Sequence, residues 1–168
     1  IPGVLLMAAL TPFIMPLIDE SQRSRFEFNT YVYGDSGSGK SAITKLLVDY
    51  FEGSPNIINL HSNKSEIDKI FEYKHCCVAI DDLCGTDSNR ERENNEQKLS
   101  ENLKRVQTPG QIVRDGKMIK NESMLFVTGE YLLKSSSTLN RCLVVNLKDP
   151  IPPKEINKLC QNKDQYLE

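Results

Sequence analysis

Residues Gly34-Asp35-Ser36-Gly37-Ser38-Gly39-Lys40-Ser41 constrain this chain more than any other stretch, because they fill the pattern G-x-x-x-x-G-K-[ST] completely. Gly37 and Gly39 free the backbone to turn successive N–H groups inward, where they can hold phosphate oxygens. A helix starting near Lys40 would add unpaired amides and the positive end of its dipole. The flanks suit this. Phe26 to Tyr33 (FEFNTYVY) is aromatic and β-branched and reads as a strand. Ser41 to Phe51 spaces Ile43, Leu46, Leu47, Tyr50 and Phe51 helically, before Gly53 and Pro55 stop the helix. The expected ligand is Mg-ATP. The backbone from Gly34 to Ala42 would surround its phosphates, Lys40 would reach the β- and γ-phosphates, and the Ser41 hydroxyl would bind Mg²⁺.

A second element completes the site. His75 to Ile80 (HCCVAI) reads as a buried strand that delivers Asp81 and Asp82 to the carboxyl edge of a sheet, the edge where the glycine loop also opens. Asp81 is the expected Mg²⁺ partner, and Asp82 the carboxylate that polarises an attacking water. Alone, Asp-Asp at a strand end is weak evidence; joined to the upstream loop it is strong.

The remaining chain alternates strands and helices. Asn56 to Leu60 reads as a short strand, and Asn63 with Glu66 as a capping box opening a helix with Ile67, Ile70 and Phe71 on one face. Asn89 to Arg105 is charged, with few apolar residues beyond Leu99, Leu103 and Val106, and is expected as a solvated helix. In Gln111 to Asn121, Asp115-Gly116 between Ile112-Val113 and Met118-Ile119 suits a two-residue hairpin turn. Ser123 to Thr128 and Cys142 to Leu147 are further strands, and Pro150, Pro152 and Pro153 precede a polar helix. The pattern predicts an α/β fold, a mostly parallel sheet flanked by helices with an inserted β-hairpin. Three parts are expected: an apolar N-terminal helix over 1–25, a core over 26–149, and a Pro-rich linker with a polar helix over 150–168.

Composition narrows the class. The 168 residues are 39% hydrophobic and 26% charged with a net charge of −2, which excludes a disordered or globally basic chain. The uncharged segment Ile1 to Ile18 reaches the lower edge of membrane-spanning length. Pro12 and Pro16 interrupt it and no basic flank precedes it, so it reads as a helix lying against the sheet, with no membrane partner. Five cysteines, with Cys76 and Cys77 adjacent in an apolar run, suit reduced buried thiols in a cytoplasmic protein. Cys77, Cys84, His61 and His75 lack the spacing of a zinc site. A start at Ile1 rather than Met suggests a piece of a longer chain.

This order of glycine loop, apolar strand with Asp81-Asp82, hairpin, strand ending in Thr128 and late arginine resembles the AAA+ ATPases of the pre-sensor-1 hairpin clade. That clade includes superfamily 3 viral helicases, MCM-like helicases, and primase-associated helicases of phages and mobile elements. The resemblance covers residues 4 to about 148. It implies that Thr128 is sensor 1, orienting the attacking water, although asparagine is commoner there. It implies that Arg141, in Leu139-Asn140-Arg141 before an apolar strand, is an arginine finger entering a neighbouring subunit, hence a homo-oligomer, commonly a hexameric ring. Such a guanidinium is worth ~10³ to 10⁵ in rate in well-studied NTPases. The hairpin lies where this clade places a DNA-contacting element. Arg114, Lys117 and Lys120 around its turn suit phosphates of single-stranded DNA, or equally a solvated edge.

The first function so implied is the ATP-hydrolysing motor of a DNA helicase replicating a phage, plasmid or mobile element. A DNA-dependent ATPase acting as helicase loader or assembly switch is the second. A nucleotide kinase would need an arginine-rich lid and an acceptor site, whereas Arg90, Arg92 and Arg105 are interleaved with Glu91, Glu93, Glu96 and Glu101. No small-molecule substrate other than nucleotide is expected.

Overall fold

A computed structural model of the chain describes residues 2–23, 28–52, 57–59, 68–83, 88–107, 112–114, 117–119 and 121–161. Within them a five-stranded sheet has the order β2-β3-β6-β1-β7, formed by β1 (Asn29–Tyr33), β2 (Ile57–Asn59), β3 (Lys74–Leu83), β6 (Glu122–Gly129) and β7 (Cys142–Asn146). Every pairing in it is parallel. The expected hairpin forms a separate antiparallel ribbon of β4 (Ile112–Arg114) and β5 (Lys117–Ile119).

The central stretches of the strands alternate between two cores, as the two-residue period of a sheet requires. Tyr31, Val78, Ile80, Leu125 and Val127 face one cluster, and Val32, Cys77, Ala79, Met124 and Phe126 face the other. On the second side lie α1 (Pro2–Ile14), through Leu5, Ala8 and Ala9, and α3 (Lys40–Glu52), through Val48 with Ile43 and Leu47. The N-terminal apolar segment thus lies against the sheet, and the Cys77 thiol donates to the Ala9 carbonyl at 3.4 Å. Past α1 the chain makes a 3₁₀ turn at Met15–Leu17 and a short helix, α2 (Glu20–Arg23). Among the described residues no helix is long and apolar enough to cross a membrane.

The first side is covered by α4 (Asn89–Gln107) and by a 3₁₀ turn, Asp68–Glu72, that buries Ile70 and Phe71. Asn63, Glu66 and Ile67 of the expected capped helix lie outside the described residues. The structure corrects the expectation for α4, which is not solvated all round. Leu99, Leu103 and Val106 are buried, together with Asn95 and Glu96. Spacings of three and four put all five on one stripe, so few apolar residues suffice to anchor nineteen. Leu99 and Leu103 are fully buried, and each stabilises the fold by roughly 1.5–3 kcal/mol. A salt bridge from Arg105 to Asp68 (2.6 Å) ties α4 to the neighbouring turn.

Two closing elements complete the described chain. Helix α5 (Ser136–Leu139) leads into β7, and α6 (Pro153–Gln161) follows it. The polar helix α6 is not detached: Ile151 before it and Ile156 within it lie against the glycine loop, as described below.

Candidate nucleotide-binding site

Parallel topology brings the carboxyl ends of β1, β6 and β3 side by side. Register pairs Val32 with Thr128, Tyr33 with Gly129, and Ile80 with Val127. The loop after β1, the end of β6 and the end of β3 therefore share one sheet edge, where the strand order reverses across β1. That is where an open α/β sheet leaves a crevice.

The glycine loop has the backbone its sequence demands. Gly37 and Gly39 take φ of 75° and 90°, values that side-chain-bearing residues rarely adopt. The Ser38 amide donates to Asp35 O at 3.1 Å, and the Ile43 amide to Gly39 O at 2.9 Å, which starts α3. Ahead of Ile43 the first amides of α3 have no intrahelical acceptor, and Lys40, Ser41 and Ala42 line the cleft. Close approach explains Gly34: a Cβ there would stand 2.5 Å from Leu147 O. Gly39 meets Ile156 Cδ1 at 3.1 Å and Ile151 Cβ at 3.4 Å by the same construction. The Ile151 amide donates to Ser38 O at 3.1 Å. The segment after β7 thus straps the back of the loop.

Lys40 is buried, with 7% of its surface exposed. Its Nζ donates to Gly34 O (2.8 Å) and Asp35 O (2.7 Å), with a weak third contact to Ser38 Oγ at 3.4 Å. A buried ammonium must be paired or saturated with hydrogen bonds. Here two carbonyls fix its stem in the loop, and the weakest of the three bonds is the one an anion would replace. Opposite it, Asp81 Oδ1 accepts from Ser41 Oγ at 2.9 Å and also from Thr128 Oγ1. Hydroxyl, carboxylate and hydroxyl are three hard oxygen donors, the set that Mg²⁺ selects. The cleft between loop and strand ends holds about 300 Å³, with Gly37, Lys40, Ser41, Ala42, Asp81 and Thr128 in its wall. A phosphate chain with its cation fits both the donors and the space.

Of the residues singled out in the sequence, Gly34 to Ala42, Asp81 and Thr128 come together here. The backbone of Asp82 continues β3 beside Asp81, and its side chain lies outside the described residues. Arg141 is not in this cleft. It stands before β7, its carbonyl accepting from the amide of Asn29 at the start of β1 (2.9 Å). It is therefore at the opposite edge of the sheet, five residues of strand or about 16 Å away. Its guanidinium donates to Ser137 O and, at 2.9 Å, to Ser137 Oγ. Arg114 and Lys117 are cross-strand partners in the hairpin; their side chains, the 115–116 turn and Lys120 lie outside the described residues. Glu130 and Leu83 also line the cleft, where no sequence motif marks them. The Glu130 amide donates to Leu83 O at 3.0 Å, a contact with no local sequence signal.

A glycine loop around a saturated lysine, facing a carboxylate that bridges two hydroxyls, defines the class as P-loop nucleoside triphosphatases. The family model described as Novel STAND NTPase 3 matches residues 29–149, and the chain belongs to that family. The protein is thus a member of an NTPase family. The fold is shared with two solved structures of low identity. The structure of C. elegans PCH-2 matches with a TM-score of 0.56 at 13% identity, over 95% of this chain and 47% of that one. The X-ray structure of JCV helicase matches with a TM-score of 0.51 at 14% identity, over 96% of this chain and 48% of that one. The chain thus spans about half the length of the structures it matches. No curated protein shows significant sequence similarity to it.

Proposed function

We propose that this domain hydrolyses Mg-ATP as the motor of a cytoplasmic DNA helicase, working as a homo-oligomeric ring, commonly a hexamer, on single-stranded DNA of a phage, plasmid or mobile element. The observation that carries the hydrolytic part is Asp81 Oδ1 accepting from both Ser41 and Thr128 at the mouth of the loop. In this reading the loop amides and Lys40 hold the β- and γ-phosphates. Ser41 and Asp81 hold Mg²⁺, which when bound offsets phosphate charge. Thr128 and Asp82 orient the attacking water, since a hydroxyl both donates and accepts while a carboxylate accepts its proton.

Support for an assembly comes from Arg141. A guanidinium at the far sheet edge cannot reach its own subunit's cleft, which supports a role in a neighbour's. The hairpin cations Arg114, Lys117 and Lys120 support the DNA part, as phosphate contacts carrying no base specificity.

ATP hydrolysis with and without single-stranded DNA tests these roles. Lys40→Ala abolishes turnover, Arg141→Ala abolishes it while nucleotide still binds, and Lys117→Ala mainly loses DNA stimulation. An unchanged DNA response in Lys117→Ala returns the hairpin to a solubility role. A strand-displacement assay separates the motor from a loader or assembly switch, which hydrolyses without unwinding.

A further inference from the structure

We propose that Glu96 is a positioning residue that holds the Arg141 guanidinium in place through helix α5, an inference that rests on the reading of Arg141 as a residue donated to the neighbouring subunit. Glu96 lies on the buried stripe of α4 and is only 8% exposed. A carboxylate so placed is costly unless it accepts hydrogen bonds. Its Oε2 accepts from the amides of Lys134 (2.9 Å) and Ser135 (3.3 Å), far away in sequence. Those amides open the turn that starts α5. Ser135 Oγ then accepts from Thr138 N at 3.3 Å and lies 3.0 Å from Thr138 Oγ1, capping the helix.

From α5 the chain of contacts reaches the guanidinium directly. Ser137 supplies both acceptors of the Arg141 side chain, and Thr138 O accepts the Arg141 amide at 3.1 Å. The Arg141 backbone is held independently, by Asn29 and by Gln107 Nε2 at 3.4 Å. Loss of Glu96 therefore frees the side chain's support while leaving β7 in the sheet. None of the groups in this relay touches the nucleotide cleft, so an effect on hydrolysis has to travel through Arg141.

The test uses Glu96→Ala and the isosteric Glu96→Gln, which keeps an acceptor oxygen. Glu96→Ala is expected to lower kcat about ten- to a hundred-fold, the loss of charge-assisted bonds to two amides, with nucleotide Kd unchanged. Glu96→Gln recovers part of that loss. Mixing Glu96→Ala with Lys40→Ala restores activity, because Lys40→Ala subunits keep a well-placed Arg141 and Glu96→Ala subunits keep an intact cleft. Arg141→Ala mixed with Lys40→Ala is the control. If that control is rescued and neither Glu96 variant is, the positioning role is overturned while the shared site stands. If the control is not rescued, the shared site fails and this inference with it. Parallel loss of kcat and nucleotide affinity in both Glu96 variants marks a purely structural role and also overturns the proposal.

Discussion

Substituting Gly129 tests how the residue after Thr128 is held. Gly129 ends β6, and a Cβ built there falls inside the contact distance of the Tyr31 hydroxyl, 2.9 Å from Tyr31 Cζ and 3.0 Å from Cε2. Tyr31 cannot retreat: it is fully buried, stacks on Tyr33 with centroids 6.0 Å apart, and donates its hydroxyl to Tyr131 O at 2.6 Å. Overpacking of this kind costs about 1–3 kcal/mol. Forcing the hydroxyl off its carbonyl leaves a buried donor and acceptor unpaired, a further ~1–3 kcal/mol. Gly129→Ala is therefore expected to destabilise by about 2–6 kcal/mol, read from the urea midpoint at constant m-value. Tyr31→Phe alone sacrifices the same hydrogen bond at about 1–3 kcal/mol. The two changes share that bond and part of the clash, so the double variant should lose at least ~0.5 kcal/mol less than the sum. Strict additivity, or a loss below ~1 kcal/mol for Gly129→Ala, refutes the claim that the Tyr31 hydroxyl fixes this segment.

Two further outcomes follow from the geometry. Gly37→Ala and Gly39→Ala both strain a positive φ, but only Gly39 faces Ile156 and Ile151; nucleotide Kd should rise in both, and Ile156→Ala should partly rescue Gly39→Ala alone, as titration calorimetry will report. Burial pushes the Cys142 thiol up to about 12, with Arg141 opposing the shift. The folded chain then keeps a proton that the unfolded chain releases near pH 9, so this contribution to stability is complete below pH 9 and is lost as pH rises toward 12. Cys142→Ser should flatten the fall in stability over that window, measured by denaturation at stepped pH.

The sequence was most legible where local chemistry is dictated by backbone conformation. Gly37 and Gly39 announced positive φ, and the apolar run Met124 to Val127 announced a strand. Asp81 could be placed because an apolar strand in a parallel sheet has one carboxyl end. Long-range pairing was not legible. Glu96 in a charged run gives no sign that it will be buried, because its partners are backbone amides at 134 and 135, which carry no side-chain signature. The strap of Ile151 and Ile156 over the loop was hidden for the same reason, since prolines at 150, 152 and 153 read as a boundary. Tyr31 beneath Gly129 is a contact between strands that only the register reveals.

Binding of a nucleotide with its metal in the cleft between Lys40 and Asp81 is measured directly by titration calorimetry with Mg-ATP. Wild-type protein should bind one nucleotide per chain. Lys40→Ala should weaken binding at least about tenfold, the ~1.4 kcal/mol or more expected from removing a charged hydrogen-bond donor to phosphate. Chelating the metal should weaken wild type strongly and Asp81→Ala little. Equal affinities for wild type and Lys40→Ala, with the same response to chelation in Asp81→Ala as in wild type, would contradict binding in that cleft.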